Sequence, residues 1–174
     1  MSDIDRFRAR ALDLLDRASL VITKAERDAL ELADFALGEF ESSGLALIVY
    51  VNTPRVCAKE LMLLPRQTCP QHRHPPVGGG PGKEETFRCR WGEVFLYVPG
   101  APSANPMARP PDDRAHTYTV FHEIVLRPGD QHTIPPDTWH WFQAGPEGAV
   151  VSEFSTHSTD EHDVFLDPDI RRVG

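Results

Sequence analysis

The sequence predicts an all-β domain preceded by a helical segment, on three observations. Sixteen prolines and twelve glycines gather at 75–82, 99–111, 128–136 and 145–148, between short apolar stretches, the punctuation of a chain with many turns. From residue 45 onward those stretches are rich in β-branched and aromatic residues. Helical spacing is confined to the first forty residues. With 174 residues, the chain is long enough for one real core and short for two ordinary domains.

At the N-terminus, Phe7, Ala11, Leu14, Leu15 and Ala18 recur at helical spacing, predicting an amphipathic helix over 3–18. Thr23 and Glu26 form a capping box that opens a second helix. Leu30, Ala33 and Phe35 extend its apolar side, and Gly38 is its expected stop. Residues 1–40 are thus expected to be helices packed on a barrel spanning 41–174, or against a second subunit, within a single domain. The strands expected in that barrel are 45–52, 56–65, 85–98, 117–129, 130–135, 140–144 and 148–156. Such a series suits a sandwich or a small barrel. The tail over 158–174 reads as polar and irregular, and no internal repeat is present.

Composition excludes several classes of function. Acidic residues outnumber basic ones, 26 to 18, for a net charge of −8, and no basic stripe offers a nucleic-acid footprint. No apolar run approaches the length of a bilayer span, and MSDIDRFRAR lacks the apolar core of an export signal. Cys57, Cys69 and Cys89 are odd in number and form no CxxC pair. They read as reduced thiols, so a cytoplasmic protein is expected.

The chemistry-bearing stretch is QHRHPP at 71–76. Alternation along a strand puts His72 and His74 on one face, as two ligands of one ion require. An isolated HxH is weak evidence, but two further stretches add to it. In GKEETFRCRWG (82–92), Glu85 is followed after six residues by Gly92, and in RPGDQHTIPPDTWHWFQ (127–143), His140 follows a PG turn and a short strand.

HxH, then glutamate, six residues and glycine, then PG and a later histidine, resembles the two motifs of the cupin superfamily. The resemblance implies a small jelly-roll β-barrel in which His72, His74, Glu85 and His140 hold one divalent ion. Three imidazoles and a carboxylate suit Mn²⁺, Fe²⁺, Co²⁺, Ni²⁺ or Zn²⁺. Two departures stand out. Ten residues, 75–84, separate His74 from Glu85, where cupins usually have three or four; this Pro/Gly-rich insert is expected to form a rim loop. Asp137 also occupies a position where the second motif usually has glycine. Glu84 is the neighbouring alternative to Glu85; the count to Gly92 selects Glu85, which shares a face with Phe87, Cys89 and Trp91.

The longer stretches VYVNTPRVCAKELMLLPRQTCPQHRHPP, KEETFRCRWGEVFLYV and IPPDTWHWFQAGPEGAVVSEFSTHSTDEHDVF resemble the cupin-type D-lyxose isomerases, from about residue 20 to the end. That resemblance implies an Mn²⁺-dependent, usually dimeric aldose–ketose isomerase acting on D-lyxose and D-xylulose, and often on D-mannose and D-fructose. It also favours an inward Lys59, whose ammonium could stabilise oxyanion charge on the sugar. Period two alone leaves open whether the face of Cys57, Lys59, Leu61 and Leu63 or that of Glu60, Met62 and Leu64 is inside. Glu153 is the first candidate for the proton-carrying base and a sugar contact, with Glu85 second, and Asp163 is a candidate sugar contact.

The run Asp160–Asp163 otherwise reads as a solvated acidic patch. His116, His122, His132, His157 and His162 have no spacing that joins them to the quartet, and Phe87, Trp91, Trp139 and Trp141 read as core or wall. The rival readings are an Fe²⁺ cupin dioxygenase and a non-catalytic sugar-binding cupin. Lys59, Glu153 and Asp163 suit a polyol better than the apolar substrate expected of the dioxygenase.

Overall fold

A computed structural model describes residues 2–171. The element order is α1 (Asp3–Arg17), α2 (Lys24–Asp28), β1 (Glu31–Ala33), β2 (Leu45–Asn52), β3 (Cys57–Leu63), β4 (Thr68–Arg73), β5 (Glu85–Val98), β6 (His122–Leu126), β7 (Gln131–Ile134), β8 (His140–Ser155) and β9 (Val164–Phe165). Short 3-10 turns lie at Asp112–Thr117 and Asp160–His162.

The strands form one curled sheet, in which β1-β2-β3-β8-β4-β9 are neighbours and β5 pairs with β6, β7 and β8. Its seam is the long antiparallel pair of β5 and β8, running from Glu85↔Ser155 to Tyr97↔Trp141. The first half of β8 pairs with β4 and its second half with β3, so β8 joins the two walls of the half-barrel. The expected strands at 140–144 and 148–156 are therefore one strand. Gly92 and Gly148 permit the close crossing midway along the seam. Gly92 has φ 71°, and a Cβ there would lie 2.1 Å from the Gly148 carbonyl oxygen, where only glycine fits.

The helix α1 is capped by Ser2, whose hydroxyl accepts the Asp5 N–H at 3.2 Å while the Asp5 carboxylate takes the Ser2 N–H at 3.0 Å. Its apolar side, Ala11, Leu14 and Leu15, packs on Ala46, Ile48, Met62, Leu64 and Val150 of the sheet's outer face. Burying a leucine such as Leu15 removes about 2 kcal/mol of unfavourable hydration. The Thr23–Glu26 capping box is present, but the second helix ends at Asp28. Residues 31–33 are not helical: they join the sheet edge as β1, with Leu32 opposite Ala46. The edge of β2 supplies backbone partners there, and Phe35, Ala36 and Gly38 take left-handed conformations that no helix continues through.

Two further expectations change. The segment 117–129 is a strand only over His122–Leu126, because a 3-10 turn and an extended loop precede it. The tail carries β9, which pairs with β4 through His72↔Phe165, and so crosses the barrel mouth. Inside the barrel, Leu45, Leu47, Leu61, Phe87, Cys89, Phe142 and Val151 form an apolar floor. The polar residues described next sit above it.

Candidate metal centre

Both faces of β3 are buried, which is why its alternation cannot be read from hydrophobicity. Glu60, Met62 and Leu64 lie under α1 and its surroundings, while Lys59, Leu61 and Leu63 face the barrel interior. The β8 partner of Lys59 is Glu153, which in turn faces Phe87 of β5. His72 and His140 are opposed across β4 and β8, and Glu85 begins β5. Glu84 is exposed and Glu85 buried, so the strand register selects Glu85.

The donor atoms of His72, His74, Glu85 and His140 all lie within 4.8 Å of one another, and all four residues are buried. The tautomers follow from the outer partners. His72 Nδ1 lies 2.8 Å from the Pro70 carbonyl oxygen and His140 Nδ1 lies 2.9 Å from that of Thr138. A carbonyl can only accept, so each Nδ1 carries the hydrogen and each Nε2 keeps a lone pair. The carboxylate of Asp163 accepts from His74 Nδ1 at 2.5 Å. Glu85 Oε1 stands 2.9 Å from His140 Nε2 and 3.2 Å from His74 Nε2. His140 Nε2 is nevertheless buried without a hydrogen-bond partner.

Burial opposes charging these rings. His72 is held well below the ordinary imidazole range by burial, then by His140 and His74. For His74, burial is overridden by the Glu85 carboxylate and by Asp163, which push it up to about 9. Glu85 is held well below the carboxylate range; burial works against this, but Lys83 and His74 prevail.

A second set of charges lines the same cavity. Lys83 Nζ lies 2.8 Å from Glu85, 3.0 Å from Glu153 and 3.6 Å from Asp160. Burial works against its charge, yet Glu153, Glu85 and Asp160 hold its pKa well above the ordinary value. Lys59 Nζ lies 2.5 Å from Asp160, 2.8 Å from Ser158 Oγ and 3.9 Å from Glu153. The lysines likewise hold Asp160 below the carboxylate range against its burial.

The structure thus brings together His72, His74, Glu85, His140, Lys59, Glu153 and Asp163 around one cavity, lined by all of them except His140. Asp163 touches the cavity and also holds a histidine ring. The sequence reading missed Lys83 and Asp160. Lys83 had a signal, since it lies two residues before Glu85 and shares its face; the irregular tail gave Asp160 none. Of the aromatics, Phe87 is cavity wall. Trp141 stacks on Tyr97 in a separate cluster, Trp91 lies by α1, and Trp139 packs on Arg73.

The donor set fits a divalent cation. Three buried imidazole nitrogens and a carboxylate converge, one of those nitrogens has no hydrogen-bond partner, and nitrogen–oxygen sets of this kind bind first-row metals. The balance of charge agrees. Lys59 and Lys83 face Glu85, Glu153, Asp160 and Asp163 across the cavity, an excess of two negative charges. The charged His74 ring offsets that excess in part, and one divalent ion would balance it once that ring gives up its proton to bind.

Three comparisons bear on this centre. The family model described as D-lyxose isomerase matches residues 99–174. The D-lyxose ketol-isomerase of Thermofilum sp. (strain ex4484_79) is 58% identical over 166 residues, covering 95% of this chain and 92% of that one. The D-lyxose/D-mannose isomerase of Thermosediminibacter oceani is 57% identical over 172 residues, covering 99% and 95%. Among solved structures, the L-ribose isomerase of Cellulomonas parahominis with L-ribose superposes with a TM-score of 0.77 over 97% of this chain and 93% of that one, at 17% identity. That last likeness is one of fold.

Proposed function

This chain belongs to the D-lyxose ketol-isomerase family, and from that premise we propose that it is a divalent-metal aldose–ketose isomerase interconverting D-lyxose and D-xylulose, with D-mannose and D-fructose as a second pair. The observation that carries the proposal is the convergence of three imidazoles and Glu85 in one cavity with a further carboxylate, Glu153. His72, His74, Glu85 and His140 are the ligands of the ion, with Mn²⁺ as the resident metal. When bound, the ion supplies Lewis acidity to the sugar carbonyl and its neighbouring hydroxyl.

The chain's own residues do the rest. Glu153 carries the proton between C2 and C1, as a carboxylate general base and then acid. Lys59 and Lys83, at 3.9 and 3.0 Å from its carboxylate, hold it oriented and place positive charge where the sugar oxygens become negative. Asp163 fixes the ring of His74 and contacts a sugar hydroxyl at the mouth. Leu47, Leu61, Phe87 and Phe142 close the floor, which keeps water from competing for the proton. Two ammonium and four carboxylate groups around the cavity suit a polyol and disfavour the apolar substrate of a dioxygenase.

We assign a homodimer as the assembled state, supported by the family likeness and by Val49, Val51, Val56 and Phe154, large apolar side chains exposed on the protomer. A reducing cytoplasm suits the three buried, unbridged cysteines.

Glu153→Gln tests the chemistry apart from the metal. The variant keeps size and hydrogen-bonding reach but loses basicity. Metal content should equal that of wild type, while turnover of D-lyxose falls by about 10²-fold or more. Near-normal turnover would remove Glu153 from this role and leave Glu85 as the base.

A further inference from the structure

The ladder between β4 and β8 fails close to the place where it is needed. Its register shifts between Cys69 and His72, its last pair is His72↔His140, and β4 ends at Arg73, so strand pairing does not by itself set the spacing between His74 and His140. A second set of contacts, outside the cavity, spans the same gap. Asp137, in the turn that leads into β8, donates its N–H to the His74 carbonyl oxygen at 3.1 Å. Its carboxylate pairs with the guanidinium of Arg73, the residue between the two histidines. That guanidinium lies 5.2 Å from the centroid of Trp139. Between Asp137 and Trp139, the Thr138 carbonyl holds the ring of His140. Three consecutive residues therefore fasten the turn to β4 and to the third histidine.

Asp137 has φ 57°, a left-handed conformation that glycine adopts freely, that aspartate and asparagine adopt occasionally, and that other residues avoid. Glycine would serve the backbone better here, so the aspartate is explained by its side chain. We propose that Arg73 and Asp137 are positioning residues, which set the separation of His74 and His140 and thereby the affinity for the ion. This rests on the metal reading above. Neither residue lines the cavity, and the pair is partly exposed, where an ion pair adds little to stability. Its effect is on geometry.

The test uses Asp137→Gly, Arg73→Leu, their double variant and Arg73→Lys. Each is stripped of metal and then titrated with Mn²⁺ against a competing chelator, with the melting temperature of the metal-free form measured alongside. A purely structural turn predicts that Asp137→Gly is neutral or favourable in both readouts. The clamp predicts instead an unchanged or higher melting temperature together with Mn²⁺ binding weakened by about 10-fold, the scale on which groups behind metal ligands act. Arg73→Leu should weaken binding similarly and Arg73→Lys less. The double variant should bind no more weakly than either single one, because the two residues act as one device. Affinities within twofold of wild type in both single variants, or losses that multiply in the double variant, overturn the clamp. A wild-type protein that takes up no Mn²⁺ overturns the metal reading and the clamp with it.

Discussion

Lys83→Met replaces a buried ammonium by an apolar side chain of similar length, and the structure sets the size of the effect. Glu85 Oε2 lies 2.8 Å from Lys83 Nζ and Glu153 Oε1 lies 3.0 Å from it, with the Glu85, Lys83 and Glu153 side chains 1%, 4% and 5% exposed. Glu153 keeps Lys59 at 3.9 Å, whereas Glu85 keeps the His74 ring at 3.2 Å, so Glu85 is the carboxylate that loses its ammonium partner, and the cost of a fully broken pair is an upper bound. Breaking one side of a buried pair costs about 3–5 kcal/mol. An independent limit agrees. The protein escapes the cost by protonating Glu85, and at pH 7 a carboxyl with an ordinary value of about 4.3 takes up a proton at a cost of about 3.7 kcal/mol.

For a chain of 174 residues, that corresponds to a melting temperature lower by about 6–20 °C in the metal-free protein. The sign with pH is also set. In wild type, burial opposes the Glu85 charge but Lys83 and His74 depress its pKa. The resulting stability is present above the ordinary carboxyl value and lost as pH falls through the depressed one. In the variant, where folding instead drives Glu85 to take up a proton, the deficit should shrink by about 1.4 kcal/mol per pH unit on acidification from pH 7. Saturating Mn²⁺ should narrow the gap by returning positive charge to the cavity. Thermal unfolding followed by circular dichroism at pH 5, 6 and 7, with EDTA or with Mn²⁺, reads all three effects. A metal-free variant melting within about 2 °C of wild type at pH 7 would refute the reasoning.

Further outcomes are expected elsewhere in the molecule. His140→Ala and Glu85→Ala should each lose most bound metal, measured by elemental analysis after dialysis, whereas Glu84→Ala, altering an exposed side chain, should keep it. Full occupancy in His140→Ala would remove that residue from the ligand set. On the outer face, burial raises the pKa of Glu60 above its usual value, with the Ser152 hydroxyl opposing. Folding therefore disfavours its ionised form, and stability falls as pH rises from the ordinary carboxyl value through the raised one, then stays lower. Glu60→Gln should melt higher than wild type at pH 8 and not at pH 4; no gain at pH 8 would contradict this.

Much of the centre was legible in the residues themselves. Two histidines two positions apart, a glutamate six residues before a glycine, and a histidine after a PG turn can be counted along a line. Strand alternation then puts His72 with His74, and Glu85 with Phe87, without knowledge of the fold. The β2 and β5 bounds follow the sequence expectation over Leu45–Asn52 and Glu85–Val98, because turn residues bracket them. Gly92 was read as a motif position, and the crossing with Gly148 supplies the reason.

What only the tertiary structure decided concerns sidedness and partnership. Period two separates Lys59 from Glu60 but does not say which is inside, and with α1 covering the outer face both are buried. Residues 31–33 became strand because a sheet edge from another segment lay beside them, which outweighs a local helical pattern. Asp160 sits in what reads as a solvated acidic run, yet it meets Lys59 from 101 positions away. Local pattern is a property of neighbours along the chain, while a charge in the interior is tolerated only through partners that folding brings to it.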